Sequence, residues 1–189
     1  MRRVGLTEKR MQDKRFRKTE EMILKVFFEE DYYVSIQDVA KKIGVARSTV
    51  YNHHRAVREI LPDYEKYILR KYKNIIAHML RKKNVKLKTI YTRTLFFIIQ
   101  EKRIFELVIK KERRGMIFGM VFMNKGKIMR RARMPQDKEK ILRIYASEVV
   151  ELIVDWGKAG FKVDEVEKIV EEMMYLTDTM MARLGPLAE

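Results

Sequence analysis

Between Ser35 and Leu61 the chain reads SIQDVAKKIGVARSTVYNHHRAVREIL, and polar side chains with hydrogen-bonding reach crowd its second half. Arg47, Ser48, Thr49, Tyr51, Asn52 and His53 share one short segment, with Ser35 and Gln37 upstream and Arg55 and Arg58 just beyond. Arginine forks onto guanine or phosphate, asparagine and glutamine match adenine edges, and hydroxyls take phosphate oxygens. The chemistry on offer is therefore that of a polyanion whose edges can be read. Arg47 serves it through a base or through a phosphate. Gln37 reaches a base edge or stays solvated. Ser35 caps a helix, where a hydroxyl and free backbone N–H groups also suit a phosphate.

The same inventory argues against catalysis. The chain has no cysteine, so thiol nucleophiles, thiolate zinc sites and disulfides are excluded. It has three histidines, and His53 and His54 are neighbours, which a helix turns about 100° apart, so they make a poor metal pair. One of the two is expected to face inward and the other outward; His78 has no partner in the sequence. No Gly-rich phosphate loop, nucleophile elbow or HExxH is present, and Ser48 lacks a recognisable base. The expectation is a non-enzyme without metal or cofactor.

Positioning those polar residues requires a helical corner, and the spacing supplies one. Ser35 with Asp38 three residues on reads as a capping box that opens a short helix over Ile36, Val39, Ala40 and Ile43. Gly44 ends it, and a third helix follows from Ala46 to His53, burying Val50. Upstream, Met22, Ile23, Val26 and Phe27 form one stripe of a helix from about Glu8 to Glu30. Helix, tight turn and helix make a helix-turn-helix, whose second helix enters a major groove.

Beyond Leu61 the period remains helical, with a break expected there because Pro62 suits only a first turn. Helices are expected from Asp63 to Lys83, Leu87 to Gln100 and Arg103 to Arg113, then an apolar run from Met116 to Met123. Asn124-Lys125-Gly126 marks a turn, and Arg130 to Pro135 a basic loop. Two long helices close the chain, Gln136 to Lys158 and one capped by Asp164 and ended by Gly185-Pro186. The fold class is all-α, with one domain over 1–61 and a larger helical one over 62–189.

Charge adds direction without choosing a partner. The 189 residues carry 42 Lys and Arg against 26 Asp and Glu, a net of +16. Residues 1–62 hold +5, 63–134 hold +16 and 135–189 hold −5. Such a chain is drawn to nucleic acid, an anionic membrane or an anionic ligand. No apolar run reaches the ~18 residues of a membrane span, and Met1 to Arg10 lacks the apolar stretch of a secretory signal. A soluble, cytoplasmic protein is expected.

From Thr19 to Leu61 the sequence resembles the DNA-binding domain of TetR-family transcriptional regulators. The residues that carry the likeness are Thr19, Ile23, Leu24 and Phe28, then Ser35, Val39, Ala40, Gly44, Val45, Thr49, Tyr51, Asn52 and His53. Tyr145 to Leu176, with Trp156 and Gly160, looks like that family's dimerising pair of helices, while Tyr64 to Met134 is less alike. His54 stands where an aromatic is usual, Val57 where a phosphate-gripping lysine is usual, and Asp31 where a glycine is usual. Arg55 and Arg58 are placed to take over the phosphate contact.

The resemblance implies a homodimer on a palindromic operator, a repressor released by a small-molecule effector, with Tyr51 and Thr49 on phosphate. It also implies an effector pocket, for which Tyr91, Phe97, Phe105, Met116, Met120, Met123 and Tyr145 are the candidates. Flanking Arg93, Arg103, Lys110, Arg113 and Arg114 would favour an anionic effector. The last two helices are apolar over more than one stripe, which suggests a second copy as partner. Val149, Ile153, Trp156, Met173, Met174, Met180 and Met181 are the candidate dimer surface. Two other readings stay open: a coactivator of the same fold that binds a protein and not DNA, and an anionic-membrane surface over Arg113 to Arg133.

Overall fold

A computed structural model describes residues 13–30, 34–81, 85–124 and 138–184. Every regular element among them is helical. The chain divides into two compact units, Met1–Ile68 and Leu69–Glu189.

The first unit begins with α1, Lys14–Glu29, capped by Asp13, whose carboxylate accepts from the N–H groups of Arg15 (2.8 Å) and Phe16 (3.0 Å). α2, Ile36–Ile43, opens on the expected capping box. Ser35 Oγ accepts from the Asp38 N–H at 3.1 Å, and Asp38 Oδ2 accepts from the Ser35 N–H at 3.3 Å. Two donors orphaned at the helix start are thereby satisfied within four residues. Gly44 closes α2 at φ +70°, a left-handed conformation that a Cβ would penalise. The Val45 N–H then returns to the Ala40 carbonyl at 3.0 Å, and α3, Arg47–His53, follows. Ile23, Phe27, Val34, Ile36, Val39, Ala40, Val50, Ile60 and Ile68 form the core of this unit. Each such aliphatic side chain contributes about 1.5–3 kcal/mol when fully buried.

The break expected at Leu61 does not occur. α4 runs unbroken over Val57–Leu80 with Pro62 inside it. Only one turn precedes the proline, and Ile60 and Leu61 within that stretch, with Ile68 beyond, are buried. Their packing outweighs the missing N–H, a case of tertiary context overriding propensity. The division between units therefore falls inside α4, past the boundary expected at 61/62.

The second unit holds α5 (Leu87–Gln100), α6 (Lys102–Lys110), α7 (Gly115–Met123), α8 (Lys138–Lys158) and α9 (Val166–Leu184). α8 packs against α6, α7 and α9, and α9 packs also against α5. α8 turns into a single 3₁₀ turn, Val163–Glu165, through Gly160 at φ +94° and Phe161 at φ +51°. The Trp156 ring meets Phe161 edge-on at 5.0 Å, and its indole N–H donates to the Lys162 carbonyl at 3.1 Å. Asp164 lies within that 3₁₀ turn and does not cap α9 as expected. The expected basic loop from Arg130 to Pro135, Lys125-Gly126 and the Gly185-Pro186 stop lie outside the described residues.

Candidate nucleic-acid interface

α3 presents two chemically distinct faces. Val50 is buried inward, while Arg47, Ser48, Tyr51 and Asn52 are exposed and Thr49 is half-buried. Tyr51 keeps 44% of its surface in solvent. Gln37 at the start of α2 is exposed, as are Arg55 and Arg58 around the start of α4. Ser35 is exposed too, but its hydroxyl is committed to the cap with Asp38. Lys42 pairs with Glu30, leaving its charge partly offset.

His53 requires a correction. It was expected among the outward residues, with only one of the two histidines inside, yet both are buried. They converge on Glu20 of α1, which is itself fully buried. His53 Nδ1–H donates to Glu20 Oε2 at 2.7 Å, and His54 Nε2–H donates to Oε1 at 2.8 Å. An ionised carboxylate only accepts, so both rings are donors here. The Phe16 ring lies flat on His53, with centroids 3.9 Å apart and planes 15° from parallel. Burial pushes the Glu20 carboxyl up, but the two imidazole hydrogen bonds outweigh it and hold the group below its ordinary value of 4.5.

Glu20 was missed in the sequence, although a signal existed. It precedes Ile23, Leu24 and Phe27 at spacings of three, four and seven, so an acid sits on the buried stripe of its own helix. A charge there demands a partner, and the adjacent histidines are that partner.

Most of the side chains proposed for a pocket belong to the core of the second unit. Tyr91, Phe97, Phe105, Met116, Met120 and Tyr145 are buried, and Met123 is half-buried. Among them is a hydroxyl cluster: Tyr91 and Tyr145 are 2.5 Å apart, and Thr177 Oγ1 lies 2.6 Å from the Tyr91 oxygen. Nearby in sequence, Tyr72 bonds Thr94 (2.7 Å) and donates to Asn124 (2.9 Å), and burial pushes its phenol up to about 12.

The expected partner surface changes most. Val149, Ile153, Trp156, Met173 and Met180 are buried inside the chain's own body. The extra apolar stripes of α8 and α9 are consumed by α5, α6 and α7, leaving Met174 and Met181 half-buried. The large apolar side chains left in solvent on this pair are Ile144 and Tyr175, at 43% and 71% exposure.

Among the described residues no three His, Asp or Glu side chains are grouped to hold a metal ion, and no helix is long and apolar enough to cross a membrane. Compared with known proteins, the chain matches no family model and no curated protein.

Proposed function

We propose that the protein is a DNA-binding transcriptional regulator of the TetR type, a repressor that sits on a palindromic operator as a homodimer. The observation that carries this reading is the outward face of α3: Arg47, Ser48, Tyr51 and Asn52 stand exposed on a helix whose other side is anchored by Val50, His53 and the Gly44 turn. Hydrogen-bonding side chains on a rigid helix are what base-edge and phosphate contacts need. Arg47 on a guanine would supply about 1–3 kcal/mol of discrimination. Arg55 and Arg58 follow the helix at its C-terminal end and suit phosphates there.

A two-fold pair of such heads meets half-sites roughly 34 Å apart, one turn of duplex. Ile144 and Tyr175, with the half-buried Met174 and Met181, are the residues through which a second copy would join. The buried hydroxyls of Tyr91, Tyr145 and Thr177 would give a small-molecule effector its polar contacts within an otherwise apolar body. Exposed Arg93 and Arg103 favour an anionic effector.

Selection of fragments from a genomic pool at physiological salt, competed with random DNA, tests the reading. Recovery of an inverted repeat is the expected result. Equal retention of random DNA, or none at all, overturns it.

A further inference from the structure

Two polar clusters lie inside the second unit, and they differ in what they leave open. In the first, Tyr145 can donate to Tyr91 at 2.5 Å, Tyr91 to Thr177 at 2.6 Å and Thr177 to the Met173 carbonyl at 2.8 Å. Each hydroxyl proton has an acceptor, so that cluster has only lone pairs to spare. In the second, Tyr72 lies 2.7 Å from Thr94 Oγ1 and donates to Asn124 Oδ1 at 2.9 Å. Asn124 keeps 2% of its surface in solvent, yet its Nδ2 has no hydrogen-bond partner. Turning the amide over would let one N–H reach Tyr72 but would leave the other N–H and the oxygen unmet. In either setting a buried donor lacks an acceptor, which protein interiors rarely tolerate.

The surroundings define the acceptor that suits it. Asn124 continues α7 in helical conformation, so Met120 and Met116, about one and two turns back, share its face. Both methionines are buried, and their unbranched thioethers can repack around a guest. The Tyr72 ring lies 5.4 Å from the Phe97 ring, and burial pushes its phenol up to about 12, so its hydroxyl stays neutral. Tyr72, Thr94 and Asn124 are thus all uncharged. An anionic oxygen bonded to this cluster would be buried without a counter-ion, whereas a neutral carbonyl carries no such penalty.

We propose that the Asn124 amide, with its oxygen held by Tyr72 and its nitrogen left to donate, is a binding site for the carbonyl oxygen of a neutral, mostly apolar small molecule such as a ketone or ester. The Nδ2–H fixes one end of the ligand, and the apolar remainder lies against the methionine face of α7. That this ligand is the effector rests on the regulator reading; the site itself does not. The anionic end that exposed Arg93 and Arg103 favour is a separate contact.

Three probes of like size test the full-length protein. Acetophenone carries a neutral carbonyl, cumene has a similar shape without an acceptor, and benzoate has a charged acceptor. Calorimetry is expected to show acetophenone binding more tightly than the other two. In infrared spectra its isotope-labelled carbonyl band should move to lower frequency on binding. Asn124→Leu keeps the size and removes the donor. It should weaken acetophenone by about two- to tenfold, the contribution of one neutral hydrogen bond, leave cumene unchanged and abolish the infrared shift. Asn124→Ala carries the same comparison if the leucine variant fails to fold. Equal affinity for acetophenone and cumene, or a band shift that both variants retain, overturns the proposal. So does a crystal soaked in acetophenone that shows only an ordered water on the amide. Tighter binding of benzoate overturns the neutral-ligand assignment. Acetophenone held by Asn124 without effect on selected DNA leaves the site standing and overturns its effector role, while failure to select any DNA overturns the regulator reading alone.

Discussion

His53, the last residue of α3, donates from Nδ1 to the Glu20 carboxylate of α1 at 2.7 Å inside the core of the head. The helix that presents Arg47 and Tyr51 is therefore tied at its C-terminal end to a charge that water does not reach. Its N-terminal end is set by the Gly44 turn, and Ala46 there offers no side-chain cap. The orientation of the outward face of α3 depends on both ends.

Glu20→Ala should destabilise the head by about 1–3 kcal/mol for each buried imidazole N–H left without its acceptor. Glu20→Gln, which keeps the shape, should cost less. The pH dependence follows from the lowered Glu20 value. A depressed carboxylate contributes stability that is present above its unfolded value of 4.5 and is lost as pH falls through the lower folded value. Urea denaturation of the wild type should therefore show a loss of stability in the acid range below 4.5, and E20Q should show a shallower one. Parallel acid profiles for the two proteins would contradict the assignment.

Arg47→Ala and Arg58→Ala should separate specificity from affinity. Removing Arg47 is expected to cost about 1–3 kcal/mol on the selected site and to relax preference at one base pair. Removing Arg58 should weaken all sequences alike and reduce the salt slope by about 1. Titrations of both variants against selected and random duplexes at several salt concentrations make the comparison.

Gly157 lies on α8 where there is no room for a methyl group. A Cβ there would stand 2.3 Å from Ile109 Cδ1 and 2.7 Å from Phe161 Cζ. Phe161 cannot easily retreat, since it packs edge-on against Trp156 and Phe105. Gly157→Ala should cost about 1–3 kcal/mol, the typical range for overpacking, and calorimetry of the variant reads it. A melting temperature equal to wild type would show that the Ile109 and Phe161 side chains yield freely.

Ile144→Glu combined with Tyr175→Glu should yield a folded monomer. Both side chains already meet solvent, so the body's core is untouched, while a charge on an apolar contact opposes association. Light scattering and circular dichroism together distinguish a lost interface from a lost fold. A double variant that remains dimeric would place the interface elsewhere.

Features confined to one turn of chain were legible in advance. The Ser35–Asp38 capping box, the left-handed Gly44 and the helical nature of each segment depend on residues three or four apart, whose geometry any helix imposes. The polar outer face of α3 follows from the same local period once Val50 is placed inward. Pro62 marks the limit of local reasoning, because buried neighbours on both sides carried α4 through it.

What the sequence determined by itself was an all-helical chain, the corner that displays α3 and the side chains displayed there. What only the tertiary structure decided was which faces remained free. Glu20 and His53 are 33 positions apart, and no period links them. Periodicity likewise marked Val149, Ile153, Trp156 and Met173 as apolar, but whether a second copy or α5, α6 and α7 cover them depends on packing between distant segments. Hydrophobic burial is non-directional: a sequence shows that a surface must be covered, and only the assembled fold shows by what.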